Sequence, residues 1–164
     1  MTETARDQIT ALLDREETGI AILDGGFGMM IAEGTRDLLR RNGAEYGACD
    51  TAETAKYDRL DTTLGDCFSN AANGALEYAN LTYCEGYAIA GDLGIPMGHA
   101  WLIDEEGRTI DSTWENGHSY CGIALQNEDL CAALLATETY GLFDFLWQSG
   151  KGADFIRTLL GAEG

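Results

Sequence analysis

The sequence predicts an α+β fold in which helices flank an antiparallel sheet. Three observations carry this expectation. Small and apolar residues recur at helical spacing from Phe68 to Ala79, and four β-rich segments follow between residues 82 and 125 on short connections. Helical periodicity then returns on either side of that block. A length of 164 residues suits one domain, 1–164, able to bury a core without staples.

Taken in order, Thr2–Glu17 reads as a helix with Ile9, Leu12 and Leu13 on one face and Gly19 as its stop. The run from Ile20, with Gly25, Gly26 and Gly28, reads as a strand or turn. Thr35 caps a helix over "RDLLRRNG", where Gly43 stands at the place of a left-handed C-terminal glycine. Residues 44–64 are polar and irregular, with one helical turn near Thr54–Leu60. The next helix is the clearest element: from Asp66 or Cys67, residues Phe68, Ala71, Ala72, Ala75, Leu76 and Ala79 share one face. Its small residues allow a sheet to pack close. Asp66 stands as N-cap, which sets Cys67 at the positive end of the helix dipole.

Strands are expected over 82–90 ("TYCEGYAIA"), 98–104 ("GHAWLID"), 108–114 ("RTIDSTW") and 120–125 ("YCGIAL"). Their short Gly- and Pro-containing links favour hairpins of an antiparallel meander. Asn127 then caps "EDLCAALLAT", and "GLFDFLW" and "ADFIRTLL" complete a helical C-terminus.

The charge is unusual: 28 acidic residues against 10 basic ones, a net −18. Such a surface repels a phosphate backbone, so direct nucleic-acid binding is not expected. It suits a cationic substrate or partner. Five cysteines, an odd number with no CxxC pair, argue against a disulfide framework or a zinc site. The carboxylates form no EF-hand loop and "DGGFG" lacks the P-loop pattern, so neither metal nor cofactor is expected. The N-terminus lacks a signal-peptide core and no apolar run spans a membrane, which makes the cytoplasm the default setting with reduced thiols.

Chemistry concentrates on three residues. A cysteine nucleophile needs a histidine to take its proton and a third group to orient the imidazole. Only His99 and His118 exist, His99 in a strand and His118 in a loop-like "WENGHSY". If Glu105–Gly107 is a three-residue loop with Gly107 left-handed, Asp104 opposes Arg108 and His99 lies diagonal to Asp111, at about 7–8 Å between backbones. Cys67 completes the set where its helix start meets that sheet face, and helix-start N–H groups suit an oxyanion. Tyr87, Trp101 and Trp114 are candidate walls of a substrate cleft, His118 a candidate lining residue, and Glu85 a solvated edge residue. Cys49, Cys121 and Cys131 read as structural.

"GDCFSNAANGALEYANLTYCEGYA", "MGHAWLID" and "RTIDSTW" together resemble the core of the transglutaminase-like branch of papain-like cysteine enzymes, over residues 65–125. They also resemble uncharacterised phage and actinobacterial proteins carrying an EGYA…HAW…D-x-TW pattern, in which Ser112 replaces a proline and Cys121 an aromatic residue. The resemblance implies a papain-like core and a thiol-dependent hydrolase or acyltransferase acting on an amide or related acyl bond, as in a peptidase, deamidase or transglutaminase. Cys67 would be the nucleophile, His99 the acid/base and Asp111 the orienting group. Asp61 stands where papain has its oxyanion-hole glutamine, so Asn70 or a backbone N–H takes that task. The substrate would be a peptide, a protein or a small molecule, met in the host cytoplasm if the chain is phage-encoded. A second reading from composition is a non-enzymatic acidic binder, a phage-type decoy or small-molecule sponge that inhibits a host factor.

Overall fold

The computed structural model describes residues 39, 42–91, 94, 96–138 and 140–142. Over these the chain forms β1 (Ala44–Tyr46), α1 (Thr51–Thr54), α2 (Cys67–Glu77), β2 (Thr82–Ala90), β3 (Met97–Ile103), β4 (Thr109–Ile110), β5 (Gly117–Leu125) and α3 (Asn127–Thr137). The strands make one antiparallel sheet in the order β1-β5-β2-β3-β4, an α+β arrangement. The expected helix over Thr2–Glu17, the 20–33 segment and the tail helices beyond residue 142 lie outside the described residues. Of the helix before Gly43, only Leu39 and Asn42 are described. Among the described residues no helix is long and apolar enough to cross a membrane.

β2, β3 and β4 form the expected meander, but β5 does not extend it. It crosses back to pair with β2 on the other side, and β1 pairs with β5. β1 went unanticipated because three residues are too few to show a period of two. The hairpin register between β3 and β4 is the one that a three-residue loop dictates. Leu102 opposes Ile110, Ile103 opposes Thr109, Asp104 N–H donates to the Arg108 carbonyl, and Gly107 takes φ 78°. Asp104 stabilises this turn by accepting from Glu106 N–H and Arg108 N–H at 2.9 Å each, and from the Arg108 guanidinium at 2.6 Å.

Other local expectations are corrected. Gly43 is not left-handed; its N–H closes on the Leu39 carbonyl at 2.9 Å and the chain runs on into β1. Asn127 is inside α3 with Gln126 at the cap position, and its amide donates to the Ala75 carbonyl of α2, tying the two helices together. The turn expected near Thr54–Leu60 begins earlier, as α1, because Asp50 caps it by accepting from Glu53 N–H at 2.9 Å.

The sheet buries both faces, which is why its central strands lack strict alternation. One face packs Tyr83, Tyr87, Ile89, Leu102, Ile123 and Leu125 beneath the small residues Ala71, Ala72 and Ala75 of α2. The other carries Cys84, Ala88, Trp101 and Tyr120, with Tyr46 and Trp114 against them. On this second face Gly86 and Gly122 oppose each other. A side chain at Gly122 would stand 2.5 Å from the Trp101 ring, and one at Gly86 would overlap the Cys121 carbonyl. Gly122 therefore leaves room for the Trp101 ring, and Gly86 lets the β5 backbone come close.

Candidate active site

His99, fully buried on β3, points to the second face, opposite Gly86. Its Nε2 lies 2.8 Å from Oδ2 of Asp111, the first residue beyond β4. The strand expected over 108–114 stops at Ile110 for a local reason. Asp111 Oδ1 accepts from Thr113 N–H and Trp114 N–H, at 3.0 Å each, and turns the chain out of the ladder. The same turn lays the Trp114 indole over the imidazole.

Asp111 accepts a further hydrogen bond at Oδ2, from the Tyr120 hydroxyl at 2.8 Å. The two backbone N–H groups can only donate to the carboxylate and the Tyr120 hydroxyl donates to it as well, so His99 Nε2 carries the proton toward it. His99 Nδ1 is then the ring's acceptor nitrogen. It is buried and has no hydrogen-bond partner among the described residues. Burial works against a charge on the ring, but the Asp111 carboxylate and the neighbouring Cys67 thiol together hold its pKa above the ordinary histidine value.

Cys67 opens α2 and is buried. Asp66 occupies the cap position but makes no side-chain cap hydrogen bond, which corrects its expected capping task and leaves the first-turn N–H groups to another acceptor. Two contacts clamp this helix start to the Asp111 turn. Asn70 Nδ2 donates to Thr113 Oγ1 and to the Thr63 carbonyl, 2.9 Å each, and Ser112 Oγ donates to the Asp61 carbonyl at 2.6 Å. Ser112 thus ties the Asp111 turn to the loop before α2.

The other candidates separate. Both amide hydrogens of Asn70 are engaged, so it positions the helix and has none left for an oxyanion. Trp101 lies on the His99 face, its ring 6.2 Å from the imidazole and near parallel. Tyr87 belongs to the opposite face and is core. His118 is in β5 rather than in a loop, is exposed, and lies against Ser119 Oγ and the Gly91 carbonyl. Glu85 is not a solvated edge: it is buried on the central strand β2, where Tyr83 OH and Leu142 N–H donate to it. Burial pushes the Cys84 thiol up to about 12, which makes it inert. Among the described residues no cluster of three or more His, Cys, Asp or Glu is arranged to hold a metal ion.

Tyr120 and Thr113 are the residues that sequence reasoning missed. Tyr120 shares its face with Ala88 on β2, a placement that follows only once β5 is known to neighbour β2 rather than β4. No family model matches the chain, and no curated protein or solved structure does either.

Proposed function

We propose that the chain is a thiol-dependent acyl-transfer enzyme of the transglutaminase-like, papain-like class, with Cys67 as nucleophile, His99 as acid/base and Asp111 as the orienting group. One observation carries the reading: His99 commits Nε2 to Asp111 and keeps a buried Nδ1 with no hydrogen-bond partner among the described residues, while Cys67 is among the groups that hold the ring's pKa up. A merely structural buried histidine would have both nitrogens satisfied.

The chemistry follows from these positions. Nδ1 takes the Cys67 proton, and the thiolate sulfur bonds to an acyl carbon whose carbonyl oxygen becomes an oxyanion, held by the uncapped N–H groups that open α2. The C–N bond breaks, and the leaving amine carries off the proton from Nδ1. Water or an amine then gives its proton to Nδ1 as it attacks the thioester, and the released thiolate recovers that proton. Asp111 holds the ring in the tautomer both halves need and stabilises its charge.

The test is selective alkylation. At neutral pH iodoacetamide should label Cys67 faster than Cys49 or Cys131, and His99→Ala should remove that advantage. Equal labelling of the three cysteines in the wild-type protein would sink the proposal.

A further inference from the structure

The fourth partner of the carboxylate comes from a strand the Cys–His–Asp set does not use. Tyr120 on β5 is fully buried, and its hydroxyl reaches across the sheet face to Asp111 Oδ2. Two backbone N–H groups fix Oδ1, but two bonds to one oxygen leave the carboxylate free to pivot and swing Oδ2 away from the imidazole. A second donor at Oδ2 removes that freedom. The sheet is shaped to admit it: a side chain at Gly117 would overlap the Tyr120 oxygen. The groups facing His99 are Asp111 beyond β4, Cys67 from α2 and Tyr120 from β5, with Trp114 and Trp101 as aromatic neighbours.

We propose that Tyr120 is a positioning residue that pins the Asp111 carboxylate, so that His99 keeps Nδ1 turned to Cys67, and that Gly117 is glycine to leave room for the hydroxyl. This rests on the acyl-transfer reading for its purpose, but its geometry can be tested apart from it. Tyr120→Phe keeps the ring and its packing and removes only the oxygen.

The experiment is ¹⁵N spectroscopy of the histidine rings in the full chain, with iodoacetamide alkylation of Cys67 in parallel. At a pH high enough to deprotonate the ring, wild type should show His99 held as the Nε2–H tautomer. Tyr120→Phe should mix in the Nδ1–H tautomer and slow Cys67 alkylation about tenfold, of the size expected for one hydrogen bond to a charged group. Gly117→Ala, with Tyr120 intact but its hydroxyl displaced, should reproduce both effects. An unchanged tautomer in both variants overturns the proposal, since a packing role alone predicts that result. If Tyr120→Phe does not fold, the wild-type spectrum decides. A slowly exchanging Tyr120 hydroxyl proton with a cross-peak to the His99 Nε2 proton supports the role, and its absence overturns it. Should wild-type Cys67 react no faster than Cys131, the acyl-transfer reading fails, while the tautomer result still decides the task of Tyr120.

Discussion

The imidazole of His99 and the indole of Trp114 lie face to face, their centroids 3.7 Å apart and their planes within 8°. Trp114 owes that position to the residue His99 is bonded to, because Asp111 Oδ1 holds the Trp114 N–H. The indole covers the His99–Asp111 hydrogen bond and stabilises a charged ring through its π face. Trp114→Ala should therefore admit water and speed exchange of the His99 Nε2 proton at least tenfold. It should also cost about 2 kcal/mol of stability, below the usual range for a fully buried tryptophan. Proton exchange by NMR and a thermal melt read the two effects; unchanged exchange would show that the stack shields nothing.

Asp111→Asn separates burial from charge at His99. Burial persists while the carboxylate is lost, so the His99 pKa should fall from above to below the ordinary value of about 6.5. The stability sign follows. With a raised folded pKa, the wild-type contribution is full below about pH 6.5 and disappears as pH rises through the folded value. The stability difference between wild type and Asp111→Asn should thus be larger at pH 5.5 than at pH 8.5. A ring titration that does not move would contradict it.

Asn70 links the loop before α2 to the turn after β4, two segments distant in sequence. Asn70→Ala strands the Thr63 carbonyl and frees Thr113, and should cost about 1–3 kcal/mol. Thr113→Val, which breaks only the side-chain link, should cost less. Both should slow Cys67 alkylation if the clamp sets the helix start against His99; full reactivity in both would show that it does not.

At the centre of the sheet, Gly86→Ala presses a methyl group against the Cys121 carbonyl and the Gly122 backbone. Backbone atoms cannot swing aside as side-chain ends do, so the loss should exceed about 3 kcal/mol. Gly47→Ala, where nothing lies within 4 Å, serves as control and should stay within about 0.5 kcal/mol. Denaturant unfolding of the two compares them directly.

Asp104 tests the hairpin. Its carboxyl is held below the usual range: burial alone would raise it, but the Arg108 and Glu106 backbone N–H groups and the Arg108 guanidinium overcome that. A lowered folded pKa contributes stability above about pH 4 that is lost as pH falls through the folded value. Asp104→Asn should therefore lower the melting temperature at pH 7 and close the gap with wild type near pH 2–3. A gap that stays constant with pH would remove the charge from the account.

Local chemistry made much of this legible in advance. β2 keeps its expected bounds because the β-prone Thr82, Tyr83, Tyr87 and Ile89 lie between turn signals, and the β3–β4 register follows from one loop length and one glycine. What escaped was non-local. β1 is paired by a strand some 75 residues later, His118 joins β5 through that strand's pairing with β2, and Glu85 is buried because β2 is central rather than an edge. The early stop of β4 was written in Asp111, but reading it meant recognising that one carboxylate both turns the chain and binds the histidine.

The strand order has a consequence for synthesis. β5, the last to emerge of the described strands, slots between β1, the first of them, and β2, so neither can complete its ladder until residues near 120 have left the ribosome. Until then Asp111 also lacks its Tyr120 donor. Folding is therefore gated by the carboxyl-terminal third of the sheet, and a chain halted before Tyr120 would carry its thiol and its histidine in an unfinished frame.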